Sequence, residues 1–297
     1  MMHTVYLDHP SNYSADLLSQ LLDKIHYAFN SVVVWHSDYT DAVDALFSKY
    51  GLRCIGLFGC PNHHDDWFSW TAHLGILDAD IRRLAPYSNV SGFMLGTEIN
   101  WNAFVRNLDT QLSMDEYVAW LKRTSEIARG ISAKPIYSDV VYLPNVSTPP
   151  PPSDAELRAY GLYRNGIFWS VGHTLANSRP EHVLYRQLKS ISALYGIQCL
   201  ARTGGYNVQC QWFPNWIREI YANGAGGLTL WRWESLYSAD TIAGVFSEAT
   251  YSSLVKVYNE VQARGRNLLI GAAGLLVIAS LAVWQRKPLI ELLKKLF

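Results

Sequence analysis

The sequence has no CxxC pair and no HExxH, and no Gly-x-Gly-x-x-Gly turn follows its first apolar run. It has no surplus of charge of either sign. Each absence removes a class of function. Its four cysteines, Cys54, Cys60, Cys199 and Cys210, lack the spacing of a zinc ribbon. A disulfide framework is not expected in a domain large enough to hold itself together, so free, mostly buried thiols are expected. The charge is balanced at 25 basic and 25 acidic residues. No basic excess points to nucleic acid, and no acidic block points to a disordered tail. The opening stretch, MMHTVYLDHPSNYSADLL, has no basic segment leading into an apolar run. It reads as a first strand and not as a secretory signal.

What is abundant is aromatic and apolar. Eleven Trp and 18 Tyr exceed the needs of a core this size, so some are expected to line a groove. Residues 268–284, LLIGAAGLLVIASLAVW, carry no charge and are followed by Arg286 and Lys287. Seventeen residues at a helical rise of about 1.5 Å span roughly 26 Å, close to a hydrocarbon core. Residues 267–285 are therefore expected to form a single transmembrane helix, a C-terminal anchor in a lipid bilayer. Residues 286–297 form a short basic amphipathic tail, with Leu289, Ile290, Leu293 and Leu296 set against Glu291, Lys294 and Lys295. Such a tail suits the bilayer interface. Arg286, Lys287, Lys294 and Lys295 after the span, against Lys256, Arg264 and Arg266 before it, favour the C-terminus inside. The lack of an export signal favours the reverse, with the preceding domain inside. Both topologies stay open.

Residues 1–265 alternate short apolar runs with amphipathic stretches throughout. Strands are predicted at Thr4–Leu7, Ser31–Trp35, Leu52–Phe58, Val90–Leu95, Lys134–Val141, Ile167–Val171, Ile197–Ala201 and Gly227–Trp231. Helices are predicted between them, at Ser14–Asn30, Asp41–Tyr50, Leu77–Tyr87, Ser113–Gly130, Asp154–Leu162, Arg179–Tyr195 and Pro214–Asn223, with a last one at Tyr251–Arg264. Ser113-Met114-Asp115-Glu116 reads as a capping box and Gly51 as a helix C-cap. The segment GCPNHHDDWFSW, residues 59–70, reads as a loop. Eight strands alternating with helices, and no dinucleotide-type glycine turn, favour a closed (β/α)8 barrel over a doubly wound sheet.

Within that pattern Gly92-Phe93-Met94-Leu95-Gly96-Thr97-Glu98-Ile99-Asn100 carries an apolar run that ends in a small residue and then a carboxylate. It places Glu98 at the barrel edge where catalytic groups sit. GFMLGTEIN and GLTLWRWES, in strands four and eight, resemble the clan of (β/α)8 glycoside hydrolases that includes cellulases and mannanases. The resemblance implies Glu98 as general acid/base and Trp231 as the aromatic floor of a sugar site. It also implies a nucleophilic Glu after strand seven. There the sequence reads Ala201-Arg202-Thr203-Gly204-Gly205-Tyr206-Asn207, with Thr203 at the nucleophile position.

Glycoside cleavage needs two carboxylates, one to protonate the leaving oxygen and one to attack or to activate water. Glu234 and Asp139 are the candidates for the second, with Asp8 and Asp38 also at strand ends. Trp35, His36, Trp101, His173, Arg202, Tyr206, Trp231 and Trp233 are candidates for the sugar-binding surface, with Trp67, Trp70 and Trp212 also near strand ends. His63-His64-Asp65-Asp66 offers zinc-type ligands, but adjacent loop residues seldom converge on one ion, and a solvated loop is the expectation. No metal or cofactor is expected. The expected activity is hydrolysis of a polysaccharide or cell-surface glycan by a membrane-anchored barrel. The alternative is a non-catalytic glycan-binding or attachment barrel, as in a cell-surface or virion component. Nothing in the sequence fixes the oligomeric state.

Overall fold

The computed structural model describes residues 2–7, 9–59, 67–96, 99, 103, 112–141, 153–170, 194, 198–204, 218, 221–222, 225–231, 252 and 255–263. Eight parallel strands close into a barrel in chain order, β8 pairing with β1. They are β1 (Met2–Leu7), β2 (Ser31–Trp35), β3 (Arg53–Phe58), β4 (Val90–Leu95), β5 (Ile136–Val141), β6 (Gly166–Ser170), β7 (Gln198–Gly204) and β8 (Gly227–Trp231). The helices with full bounds are α1 (Ala15–Ala28), α2 (Asp41–Tyr50), α3 (Trp67–Leu84), α4 (Met114–Ile131) and α5 (Asp154–Tyr163). Residues 255–263 are also helical.

Local chemistry explains where the helices start and stop. Ser14, Thr40 and Ser153 each accept a hydrogen bond from a first-turn backbone N–H, satisfying a donor that has no partner within the helix. Ser113 and Glu116 form the reciprocal capping box expected for α4. Gly51 ends α2 at φ 65°, a left-handed position that suits a residue without Cβ.

Two apolar layers hold the barrel. Alternate strand residues such as Val5, Val32, Val34, Phe93, Val140 and Leu228 pack outward against Leu22, Ile25, Phe47, Ile81 and Leu121 of the helices. The opposite set, Tyr6, Val33, Ile55, Leu57, Met94, Tyr137 and Phe168, fills the interior. Inside it the Tyr6 hydroxyl donates to the Met94 sulfur at 3.1 Å. The interior is thus a packed core and not a channel.

Arg164 is a charged group driven deep between β5, α4 and α5. It is 2 % exposed. Its guanidinium donates to Ser138 Oγ, Thr124 Oγ1 and the carbonyls of Leu121 and Tyr163. Burial pulls its pKa down to about 10.

Two expectations need correction. Helix α3 begins at Trp67, ten residues before the predicted Leu77, so the end of the expected loop is helical. The aromatic and β-branched run there has poor helix propensity, but tertiary packing overrides it. Trp70 is 1 % exposed and meets Trp120 edge-on, ring centroids 5.1 Å apart. Trp70 is therefore core and does not face a groove. Strand β7 runs to Gly204, not Ala201. Pairing with β6 and β8 continues that far, level with Trp231 at its last position, so Thr203 lies inside the strand. Cys54 is a buried free thiol as expected; Cys60 and Cys210 lie outside the described residues. No helix among the described residues is long and apolar enough to cross a membrane, and the expected span at 267–285 lies outside them.

Candidate functional site

The C-terminal ends of the strands form the barrel mouth, where βα connections carry function in this architecture. Trp35, the last residue of β2, is partly buried and packs on the interior cluster. Its ring comes within 3.5 Å of where a Cβ on Gly59 would stand. Trp35 therefore caps the core and offers aromatic surface at the mouth.

The connection after β2 is tied down from both sides. Asp38, 8 % exposed, accepts from His9 Nδ1 at 3.0 Å and from Ser11 Oγ at 2.6 Å. Both its oxygens are engaged, so it locks the β1 connection to the β2 connection. His36 stacks on Phe58 with rings 5.0 Å apart and 6° from parallel. Its Nδ1 stands 3.4 Å from Asp80 of α3. Burial lowers the His36 pKa; Asp80 acts in the opposite direction, and Arg83 and His73 reinforce the lowering. Arg83 donates to the carbonyls of Tyr39 and His36, and His73 Nε2 donates to the Gly59 carbonyl at 3.1 Å. The sequence reading missed this supporting set of His9, Ser11, His73, Asp80 and Arg83. The spacing of Asp80 and Arg83 on one helix was visible, but nothing showed which strand end they meet.

The exit of β4 is equally fixed. Gly96 adopts φ 90°, and a Cβ there would come within 2.9 Å of Ile99 Cδ1. Its N–H donates to the Phe58 carbonyl at 3.0 Å, and its carbonyl accepts from the Asp139 N–H at 3.2 Å. Neighbours on both sides thus hold the backbone two residues before Glu98. Ile99, one residue past Glu98, is fully buried. Asp139 lies within β5, level with Phe168 of β6, and is 0 % exposed. Its neighbour Ser138 donates to the Leu95 carbonyl at 3.0 Å, adding a second tie between β5 and the end of β4.

Of the predicted site residues, Trp35, His36 and Asp139 are described in full. Arg202 stands level with Ser170 and Thr229, and Trp231 level with Gly204. Glu98, Trp101, His173, Tyr206, Trp233 and Glu234 lie outside the described residues, as do Asp8 and His63-His64-Asp65-Asp66. Among the described residues no cluster of three or more His, Cys, Asp or Glu could hold a metal ion. Strand β7 contains no Asp or Glu, and neither do the 14 residues that follow it, 205–218. The nucleophilic Glu that the resemblance implies after strand seven is absent from that stretch.

No protein-family model matches the chain, and no curated protein matches it. Solved structures do. GH5_18 from Streptomyces cattleya, in complex with GlcNAc, superposes with a TM-score of 0.61 at 13 % identity, covering 89 % of this chain and 80 % of that one. A β-D-glucuronidase of Dictyoglomus thermophilum gives 0.58 at 11 % identity, over 87 % of this chain and 50 % of that one. The β-glucuronidase of Ruminococcus gnavus gives 0.61 at 11 % identity, over 86 % and 50 %. The fold is that of the (β/α)8 glycoside hydrolases. The chain spans about half the length of the two β-glucuronidases. At these identities the likeness shows the fold, and what happens at the mouth must be argued from the residues.

Proposed function

We propose that the protein is a membrane-anchored glycoside hydrolase acting on a polysaccharide or cell-surface glycan, with Glu98 as general acid/base. The observation that carries this reading is the fixed exit of β4. Gly96 is clamped by β3 and β5, and the next acid in the chain is Glu98, at the edge where barrel enzymes keep catalytic groups. Asp139 and Glu234 are the candidates for the second carboxylate. Asp139 is supported by its hydrogen bond to Gly96, Glu234 by its position three residues after β8. Trp35, Trp101, Trp231 and Trp233 would supply stacking faces for sugar rings, with His36, His173, Arg202 and Tyr206 as polar partners. The uncharged run at 268–284 would anchor the chain in a bilayer, with 286–297 at its interface.

A second reading has its own observation. The lack of any carboxylate from Gln198 through Arg218 favours a barrel that binds glycan for attachment without cleaving it. One titration separates a sugar site from no site at all. Oligosaccharides from a broad glycan panel should quench tryptophan fluorescence, and Trp231→Ala should weaken the response. Silence across the panel would contradict both glycan readings.

A further inference from the structure

Most described helix starts are acidic, and the ends of α2, α3 and α4 are basic. At the mouth end, the first helical turns hold Asp16, Asp41, Asp115, Glu116, Asp154 and the buried Glu156. Asp38 lies in the β2 connection, and Asp44 of α2 accepts from Asn89 before β4 at 3.1 Å. No Lys or Arg stands in those turns or in the described βα connections. At the opposite end the last helical turns hold Lys49, Arg82, Arg83 and Arg129. Arg53 opens β3, and the connections into β5 and β6 add Lys134 and Arg164. Neither these turns nor the described connections contain Asp or Glu, and Glu260 of the helical segment 255–263 is paired with Arg218 at 3.0 Å.

Helix dipoles favour acids at helix starts and bases at helix ends, and explain part of this. They do not explain Arg53, which is exposed at the start of β3, whereas Lys134 donates to the Ala85 and Tyr87 carbonyls just past the end of α3, at 2.7 and 2.6 Å. Not every cation faces outward, since Arg164 is buried, Arg83 bonds rim carbonyls and Arg82 pairs with Asp78. Lys49, Arg53 and Arg129 remain exposed. Beside Lys49 sits an aromatic group of the kind found at membrane surfaces. Tyr27 is 53 % exposed, the His26 ring lies between Tyr27 and Tyr50, and Lys49 Nζ is 4.9 Å from the Tyr50 ring centre.

The chain also approaches the anchor sequence from this end. In the helical segment 255–263, Tyr258 packs 4.6 Å from the ring of His3, the second residue of β1. Ala263 follows five residues later, and the uncharged run begins at Leu268 after Arg264 and Arg266. The segment that precedes the anchor sequence, through Tyr258, therefore lies at the same end of the barrel as the basic face.

We propose that this N-terminal face rests on an anionic lipid surface and holds the mouth away from the bilayer. The inference rests on the membrane-anchor reading. The lipid headgroups supply the negative charge that Lys49, Arg53 and Arg129 face, and the tyrosines seat at headgroup level. The mouth then stands one helix length above, about 20–27 Å for helices of 14 to 18 residues. In this pose the protein would reach glycans displayed at a distance from its own membrane, not lipid-borne sugars at its base.

The full chain should be reconstituted in vesicles of phosphatidylcholine with about 30 % phosphatidylserine, carrying headgroup acceptor dye. A donor on an unnatural amino acid is placed at Ser88, in the connection into β4, or at Asn12, after β1. Energy transfer should be strong from Ser88 and weak from Asn12. Transfer from Ser88 should fall by about twofold or more in pure phosphatidylcholine, or with Lys49→Glu, Arg53→Glu and Arg129→Glu combined. Equal transfer from both sites, or stronger transfer from Asn12, overturns the orientation. Transfer from Ser88 that ignores lipid charge overturns the anionic contact. A chain that does not float with vesicles overturns the anchor reading itself and this inference with it.

Discussion

The Asp139 N–H donates to the Gly96 carbonyl at 3.2 Å, so β5 holds the backbone at the exit of β4, two residues before Glu98 in the chain. Gly96 takes φ 90° there, with Ile99 packed where a side chain would go. Gly96→Ala should therefore lower stability by about 1–3 kcal/mol. It should also reduce glycan turnover or binding more than a matched loss of stability elsewhere. Thermal melts and fluorescence titration on the same samples check this. A variant that melts and binds like the parent would show that the bend is not needed.

Burial sets two opposing pH responses. His3, stacked on Tyr221, is pushed down from 6.5 to about 3. Its unfolded form binds the extra proton across that window, so the fold loses stability through His3 as pH falls from about 6.5 to about 3. Glu156, which accepts from the Tyr160 hydroxyl at 2.9 Å, is pushed up from 4.5 to about 7. Here the folded form holds the extra proton, and stability is lost as pH rises from about 4.5 to about 7. The slopes offset each other between about 4.5 and 6.5. Glu156→Gln keeps the acceptor without the charge, so it should stabilise the protein at pH 8 and change little at pH 4.5. Urea melts at the two pH values test the sign.

Arg164 donates to four neutral acceptors in a space with almost no solvent. Arg164→Leu removes every one of these donors at once. The loss should be about 2–4 kcal/mol in chemical denaturation. Glycan binding by the remaining folded fraction should be unchanged, because Arg164 sits at the end of α5 that lies away from the mouth.

Trp70→Ala should separate core from groove. The cavity beside Trp120 should cost about 3–5 kcal/mol, while the fluorescence response of the folded protein to glycan persists. Loss of that response with little loss of stability would return Trp70 to the binding surface.

The barrel was legible because its signals are local. Apolar runs such as SVVVW and GLTLW are bounded by caps and turns, and β2, β4, α2 and β8 fall at the bounds read from the sequence. The ends that moved were set by partners distant in the chain. Trp67–Ile76 became helix because Trp70 meets Trp120, fifty residues away. Likewise β7 lengthened because β8 pairs with it through Gly204. At the mouth, Trp35 and the β4 exit could be read from position alone. The clamps could not, since pairs such as His9 with Asp38, or His36 with Asp80, form only once the barrel closes.

The central claim is catalysis by Glu98, and one comparison tests it most directly. Glu98→Gln keeps size and hydrogen-bonding reach but removes the transferable proton. On a glycan that the parent hydrolyses, the variant should lose about 10²-fold or more in turnover while binding the glycan nearly as tightly. Equal turnover in parent and variant would contradict the account. So would a parent that binds the panel and cleaves none of it, which would leave the barrel as a glycan-binding protein.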